Sequence, residues 1–161
     1  MRMIVLLAGV AAAVLVAVVV LGRGAAADEE PPWSQQASAA CERGLAEARR
    51  LVERSASLAP QRRVIAEYGG ATRIETGVIA ELRALPRPQE DADEIAGVLA
   101  VLERSHAADL TAVARLERRF DETLLERRVN DTIAVAADLR ARFIELGADG
   151  CARYYNPESY S

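Results

Sequence analysis

At 161 residues, with 51% hydrophobic and only 4% aromatic content, the chain has the length of one domain, and its wealth of Ala, Leu, Arg and Glu over strand formers predicts an all-α class. All 20 basic residues are Arg, and from residue 28 onward 18 of them stand against 24 carboxylates, a formal charge of −6. An acidic domain without a basic stripe argues against nucleic acid and anionic lipid as partners. The pairs Arg62-Arg63, Arg118-Arg119 and Arg127-Arg128 each have acids nearby and read as solvated helix faces.

Met3 to Leu21 is an unbroken apolar run of 19 residues. As a helix it would be roughly 28 Å long, close to the hydrocarbon thickness of a bilayer. Residues 1–27 therefore read as a signal anchor or a signal peptide. The length of the run favours an uncleaved single-pass anchor in the cell membrane. Ala25-Ala26-Ala27 offers the alternative, a secreted protein cleaved before Asp28. Cys41 follows Ser38-Ala39-Ala40, faintly like a lipobox, but it lies too far beyond the apolar run for that processing. Either surviving reading puts the rest of the chain on the extracytoplasmic side.

Residues 28–33, with Pro31-Pro32, read as a stiff linker, and residues 34–151 as a helical bundle. Ser34 or Ser38 is expected to cap a first helix ending near Ser57, with Cys41, Leu45, Ala48 and Val52 on one face. A second helix is expected over Gln61 to Ala84, with Val64, Tyr68, Ala71, Val78, Leu82 and Leu85 on its apolar face and Glu75 interrupting it. Gly69-Gly70 marks a bend or a close helix crossing there. Leu85-Pro86-Arg87-Pro88 is the clearest break. Pro88 suits the first turn of a third helix, and Glu90, Asp91, Asp93 and Glu94 complement that helix's dipole without invoking calcium.

The third helix carries Ile95, Leu99, Leu102, His106, Asp109, Val113, Leu116 and Phe120 in steps of four and three. The fourth carries Leu125, Val129, Thr132, Ala136, Leu139, Phe143 and Leu146. The phase slips between Phe120 and Leu125, which predicts a turn near 119–122 with Asp121 as cap. A continuous helix over 88–146 is the alternative. Gly147 ends the last helix. Four such stripes with short connections describe an antiparallel four-helix bundle preceded by one N-terminal transmembrane or signal helix. Residues 152–161 read as an irregular tail.

The two cysteines, Cys41 and Cys151, open the first helix and follow the last. In an antiparallel bundle these positions share one end, so a disulfide between them is expected in an oxidising compartment. The alternatives are a redox pair and intermolecular bridges; nothing here has the Cys-x-x-Cys pattern. Cys41, Leu85-Pro86-Arg87-Pro88 and Leu146-Gly147-Ala148-Asp149-Gly150-Cys151 together make the chain resemble exported or membrane-anchored helical proteins of actinobacterial type. The resemblance spans about residues 41–151, rests on structural motifs, and implies no activity.

Chemistry-bearing residues are few. Glu103 and His106 form Glu-x-x-His, the pair that one helix of a di-iron bundle supplies, but such a site needs a second copy of the motif. A metal-dependent enzyme using Glu103 and His106 is thus the remote alternative. His106 is expected to be structural, bonded to Asp109 on the next turn or to a group on another helix, so that His106→Leu would be tolerated or even stabilising. No nucleophile elbow, P-loop or dinucleotide glycine pattern occurs. No catalytic, cofactor-binding or metal residue is assigned, and no cofactor is expected. The reading is a non-enzymatic extracytoplasmic helical module that serves an envelope interaction or a structural role. The alternative is a carrier for a small molecule or lipid. Its partners would be the membrane, through residues 3–21, and an unknown protein or small ligand. Tyr154, Tyr155 and Tyr160 are expected to be exposed, in a disordered tail or, as the alternative, as contact residues.

Overall fold

The computed structural model describes residues 31–160. The apolar run 3–21, the cleavage position after Ala27 and residues 28–30 of the linker lie outside the described residues. Among the described residues no helix is long and apolar enough to cross a membrane. They are all-helical: α1 (Trp33–Ser55), α2 (Pro60–Ala84), α3 (Ala92–Arg118), α4 (Glu122–Glu145), the short α5 (Asp149–Tyr154) and a final 3-10 turn, Pro157–Tyr160.

The helix boundaries follow local chemistry. Pro60 starts α2, where its missing N–H is harmless. Asp121 caps α4 by accepting from the Leu124 amide at 2.9 Å. Gly147 ends the α4 turn at φ 69°, the left-handed region that glycine enters freely. The break at 119–121 is real, so residues 88–146 form two helices. Two expected boundaries move. The third helix begins at Ala92, after a turn over 89–91, and not at Pro88. At α1 neither Ser34 nor Ser38 is the cap: Pro32 holds that position, its carbonyl accepting from Gln35 and Gln36. Trp33, read as linker, is instead buried as the first residue of the helix.

Cross-helix pairs give the directions. Arg43 meets Glu81 and Ser55 meets Glu67, so α1 and α2 are antiparallel. Arg83 meets Glu103 and Tyr68 meets Asp109, so α2 and α3 are too. The packed order is α1–α2–α3–α4, and α5 lies against both α4 and α1 to close the arrangement.

The apolar core fills the end where α1 begins. Trp33, Ala37 and Cys41 meet Val78 and Leu82 of α2, Ile95, Leu99 and Leu102 of α3, and Leu139 and Phe143 of α4. Removing these side chains from water is the main force holding that end together. The Trp33 indole nitrogen is the one buried side-chain polar atom left without a partner among the described residues.

Small residues on α1 (Ala37, Ala40, Cys41, Gly44) leave a shallow stripe that α5 fills. A Cβ on Gly150 would fall on the Ser38 backbone, 2.7 Å from its carbonyl carbon, so only glycine permits this approach. The Gly150 amide donates to Ser38 Oγ at 3.1 Å, which occupies the side chain that the sequence offers as a cap. The close-crossing reading of Gly69-Gly70 also holds: a Cβ on Gly70 would meet Leu51 of α1 at 2.5 Å.

The C-terminal segment is not an irregular tail. Tyr154 and Tyr155 are buried, at 5% and 8% exposure, so the expectation of exposed tyrosines is overturned. Phe143 and Tyr155 stack with ring centroids 5.7 Å apart. Tyr154 meets Tyr155 and Tyr160 edge-on. These rings supply the apolar area that α4 finds in no fifth long helix. Beyond their reach the α4 stripe fails, and Val129 is 40% exposed.

Candidate functional site

Midway along the bundle the core turns polar, and two clusters form there. In the first, His106 of α3 reaches across to α2. Its Nδ1 lies 2.8 Å from Glu75 Oε2 and its Nε2 lies 2.9 Å from Thr76 Oγ1. Tyr155 donates to the other Glu75 oxygen at 3.2 Å. Of the two expected partners, Asp109 and a group on another helix, the ring takes the second. The ring points into the α2–α3 seam, where Glu75 waits. Glu75, which breaks the apolar rhythm of α2, does so because it faces a buried imidazole.

Asp109 belongs to the second cluster. Its Oδ1 accepts from Tyr68 at 2.6 Å, from Arg128 Nη2 at 2.7 Å and Nε at 3.2 Å, and from Thr132 at 3.3 Å. Among the described residues its Oδ2 receives no hydrogen bond. Arg128 also reaches Asp131 at 3.2 Å. Desolvation disfavours the Tyr68 phenolate, and the neighbouring Asp109 carboxylate disfavours it further, so this phenol's pKa lies well above its ordinary value despite Arg128.

Between these clusters and the C-terminal segment lies a groove of about 300 Å³, at the lower end of the range typical of small-molecule clefts. Its walls are Tyr68, Ala71 and Thr72 of α2, Ile133 and Ala136 of α4, and Tyr154, Tyr155 and Tyr160. Glu75, Asp109 and Thr132 supply its polar atoms. Ile133, 51% exposed, stands at its edge. A wider hollow of about 590 Å³ opens at the α3–α4 turn among Arg115, Arg118 and Arg119. All three arginines are exposed, and nothing there shelters a ligand from water.

Glu103 and His106, the Glu-x-x-His pair, are not brought together. Glu103 forms an ion pair with Arg83 at 3.3 Å at the surface, while His106 is engaged with Glu75. Among the described residues no three His, Cys, Asp or Glu side chains converge as metal ligands. Cys41 and Cys151 are disulfide-bonded, with Cα atoms 4.9 Å apart. The bond ties α5, and with it the start of the tyrosine segment, to α1.

Sequence reasoning missed Glu75, Tyr68, Arg128 and the inward-facing tyrosines. The signal for Glu75 was present, as a charge on an otherwise apolar helix face. Comparison with protein-family models, with curated proteins and with solved structures finds no match.

Proposed function

We propose that residues 32–160 form a non-catalytic, extracytoplasmic binding module that takes a small, largely apolar ligand in the groove between α2, α4 and the tyrosine segment. The groove itself carries this reading. Apolar side chains form most of its wall, and a few polar atoms converge on it, the usual make-up of a ligand cleft. It forms where the α4 stripe outruns its packing partners: Ile133 is 51% exposed at the edge, and Ala136 is only partly covered by the core.

The extracytoplasmic placement draws support from the Cys41–Cys151 bond, since such bonds persist in oxidising compartments. The apolar run 3–21 would tether the module to the cell membrane, with release after Ala27 as the alternative.

Titration of the full chain in detergent with 2-phenylethanol, followed by methyl NMR, tests the reading. Saturable shifts at Ala71, Ile133 and Ala136, abolished by Ala71→Trp, are expected. Shifts that do not saturate, or that Ala71→Trp leaves unchanged, would contradict it. The second reading is a protein partner, favoured by the exposed Val129 and Ile133 beside the same groove.

A further inference from the structure

The hydroxyl groups around the groove have a common orientation. Each has a single proton to give, and all but Tyr154 give it to an acceptor within the protein. Tyr68 donates to Asp109 Oδ1, Thr132 to the same oxygen, and Tyr155 to Glu75 Oε1. Thr72 donates to the Tyr68 carbonyl at 2.9 Å, and Tyr160 to the Tyr154 carbonyl at 2.6 Å. These oxygens can therefore offer a ligand only their lone pairs. Among the described residues the Tyr154 hydroxyl is the one donor of the groove's side chains without such a bond.

The carboxylates add acceptors of the same kind. Asp109 Oδ2 receives no hydrogen bond among the described residues. Glu75 lines the groove with 18% of its side chain exposed, and its Oε1 receives one bond of 3.2 Å. A carboxylate oxygen has room for a second. The charge balance points the same way. Glu75 and Asp109 line the groove while their partners, His106 and Arg128, stand behind them, and among the described residues no arginine lines it. Arg49 is held at the Ser159 carbonyl, 2.9 Å away, and is not part of the wall. The half-buried Tyr68 and Tyr160 add aromatic surface, which attracts cations through the ring quadrupole.

We propose that the groove selects a small organic cation, a primary or secondary ammonium carried on an aryl or alkyl body. The ammonium would donate to Glu75 Oε1 and Asp109 Oδ2 while its apolar body covers Ala71, Ile133 and Ala136. A carboxylate or phosphate ligand would meet lone pairs and like charge at every polar position except Tyr154. The proposal rests on the groove being a ligand site, as inferred above, and adds the chemistry of what enters it.

The test compares three probes of similar shape on the full chain in detergent: 2-phenylethylamine, 2-phenylethanol and phenylacetate. The amine is expected to bind about tenfold more tightly than the alcohol, the advantage of a charge-assisted bond over a neutral one, and phenylacetate most weakly. Glu75→Gln is expected to weaken the amine by a larger factor than the alcohol, so that the ratio of their affinities falls towards one. The wild-type comparison stands even if that variant folds poorly. Equal binding of all three probes would overturn the cation inference and leave the groove a ligand site. Binding of none at millimolar concentration would overturn both.

Discussion

Tyr155, near the end of the chain, and His106, in the middle of α3, are held by the two oxygens of one carboxylate, Glu75, on α2. Three elements distant in sequence therefore share a single half-buried carboxylate. Removing any one partner leaves the others short of a bond.

His106→Leu should destabilise the protein by about 1–3 kcal/mol, because Glu75 Oε2 loses its imidazole partner in the largely buried α2–α3 seam. This reverses the tolerance expected from the sequence. Adding Glu75→Leu to His106→Leu should cost less than the sum of the single changes. Urea denaturation of the three variants measures the coupling; strictly additive values would show that the pair contributes nothing.

Reduction should strike α5 first. The Cys41–Cys151 bond closes a separation of 110 residues, which on the chain-entropy model stabilises by about 4–5 kcal/mol. Cys41→Ser should lower the melting temperature accordingly. Non-reducing peptide mapping of protein from intact cells should recover the linked pair, whereas free thiols there would contradict the extracytoplasmic placement.

Alkaline pH should unfold the domain cooperatively. Burial holds the Tyr68, Tyr154, Tyr155 and Tyr160 phenols above their ordinary value of 10.0, and nearby acidic groups reinforce it. The unfolded phenols ionise near pH 10, where the folded ones still keep their protons. Stability is therefore fully present below that pH and falls as pH rises above it, by roughly 1.4 kcal/mol per pH unit for each phenol. Tyrosinate absorbance should rise in step with loss of helical circular dichroism; ionisation while the helices persist would mean the rings are exposed.

Two glycine replacements should act in opposite directions. Gly150→Ala would place a methyl group on the Ser38 backbone and should cost about 1–3 kcal/mol or more. Gly97→Ala meets nothing within 4 Å and should stabilise α3 by about 0.5–1 kcal/mol. Thermal melts of the two variants that moved in the same direction would dispute the α1–α5 contact.

The long helices are legible in the sequence because their signals are local. The apolar steps of α3, the Leu85-Pro86-Arg87-Pro88 break, the Asp121 cap and the Gly147 stop each act within a turn or two. The disulfide is legible because an antiparallel bundle fixes which ends meet. The groove is not. Tyr154, Tyr155 and Tyr160 follow the last regular stripe without a period of their own, and they order only because Phe143 and the small residues of α1 leave space for their rings. His106 could be placed on a seam, but a helical spacing rule names partners on its own helix. Its actual partner, Glu75, lies 31 residues away on another, a distance that no local pattern spans.

Hydrogen exchange on the full chain, with and without 2-phenylethylamine, tests the central claim most directly, because it reads the order of the tyrosine segment and the occupancy of the groove together. The account predicts that amides 149–160 are protected without ligand, and that the amine adds protection only at 68–76, 132–136 and 154–160. Rapid exchange throughout 149–160, or added protection confined to other helices, would contradict it.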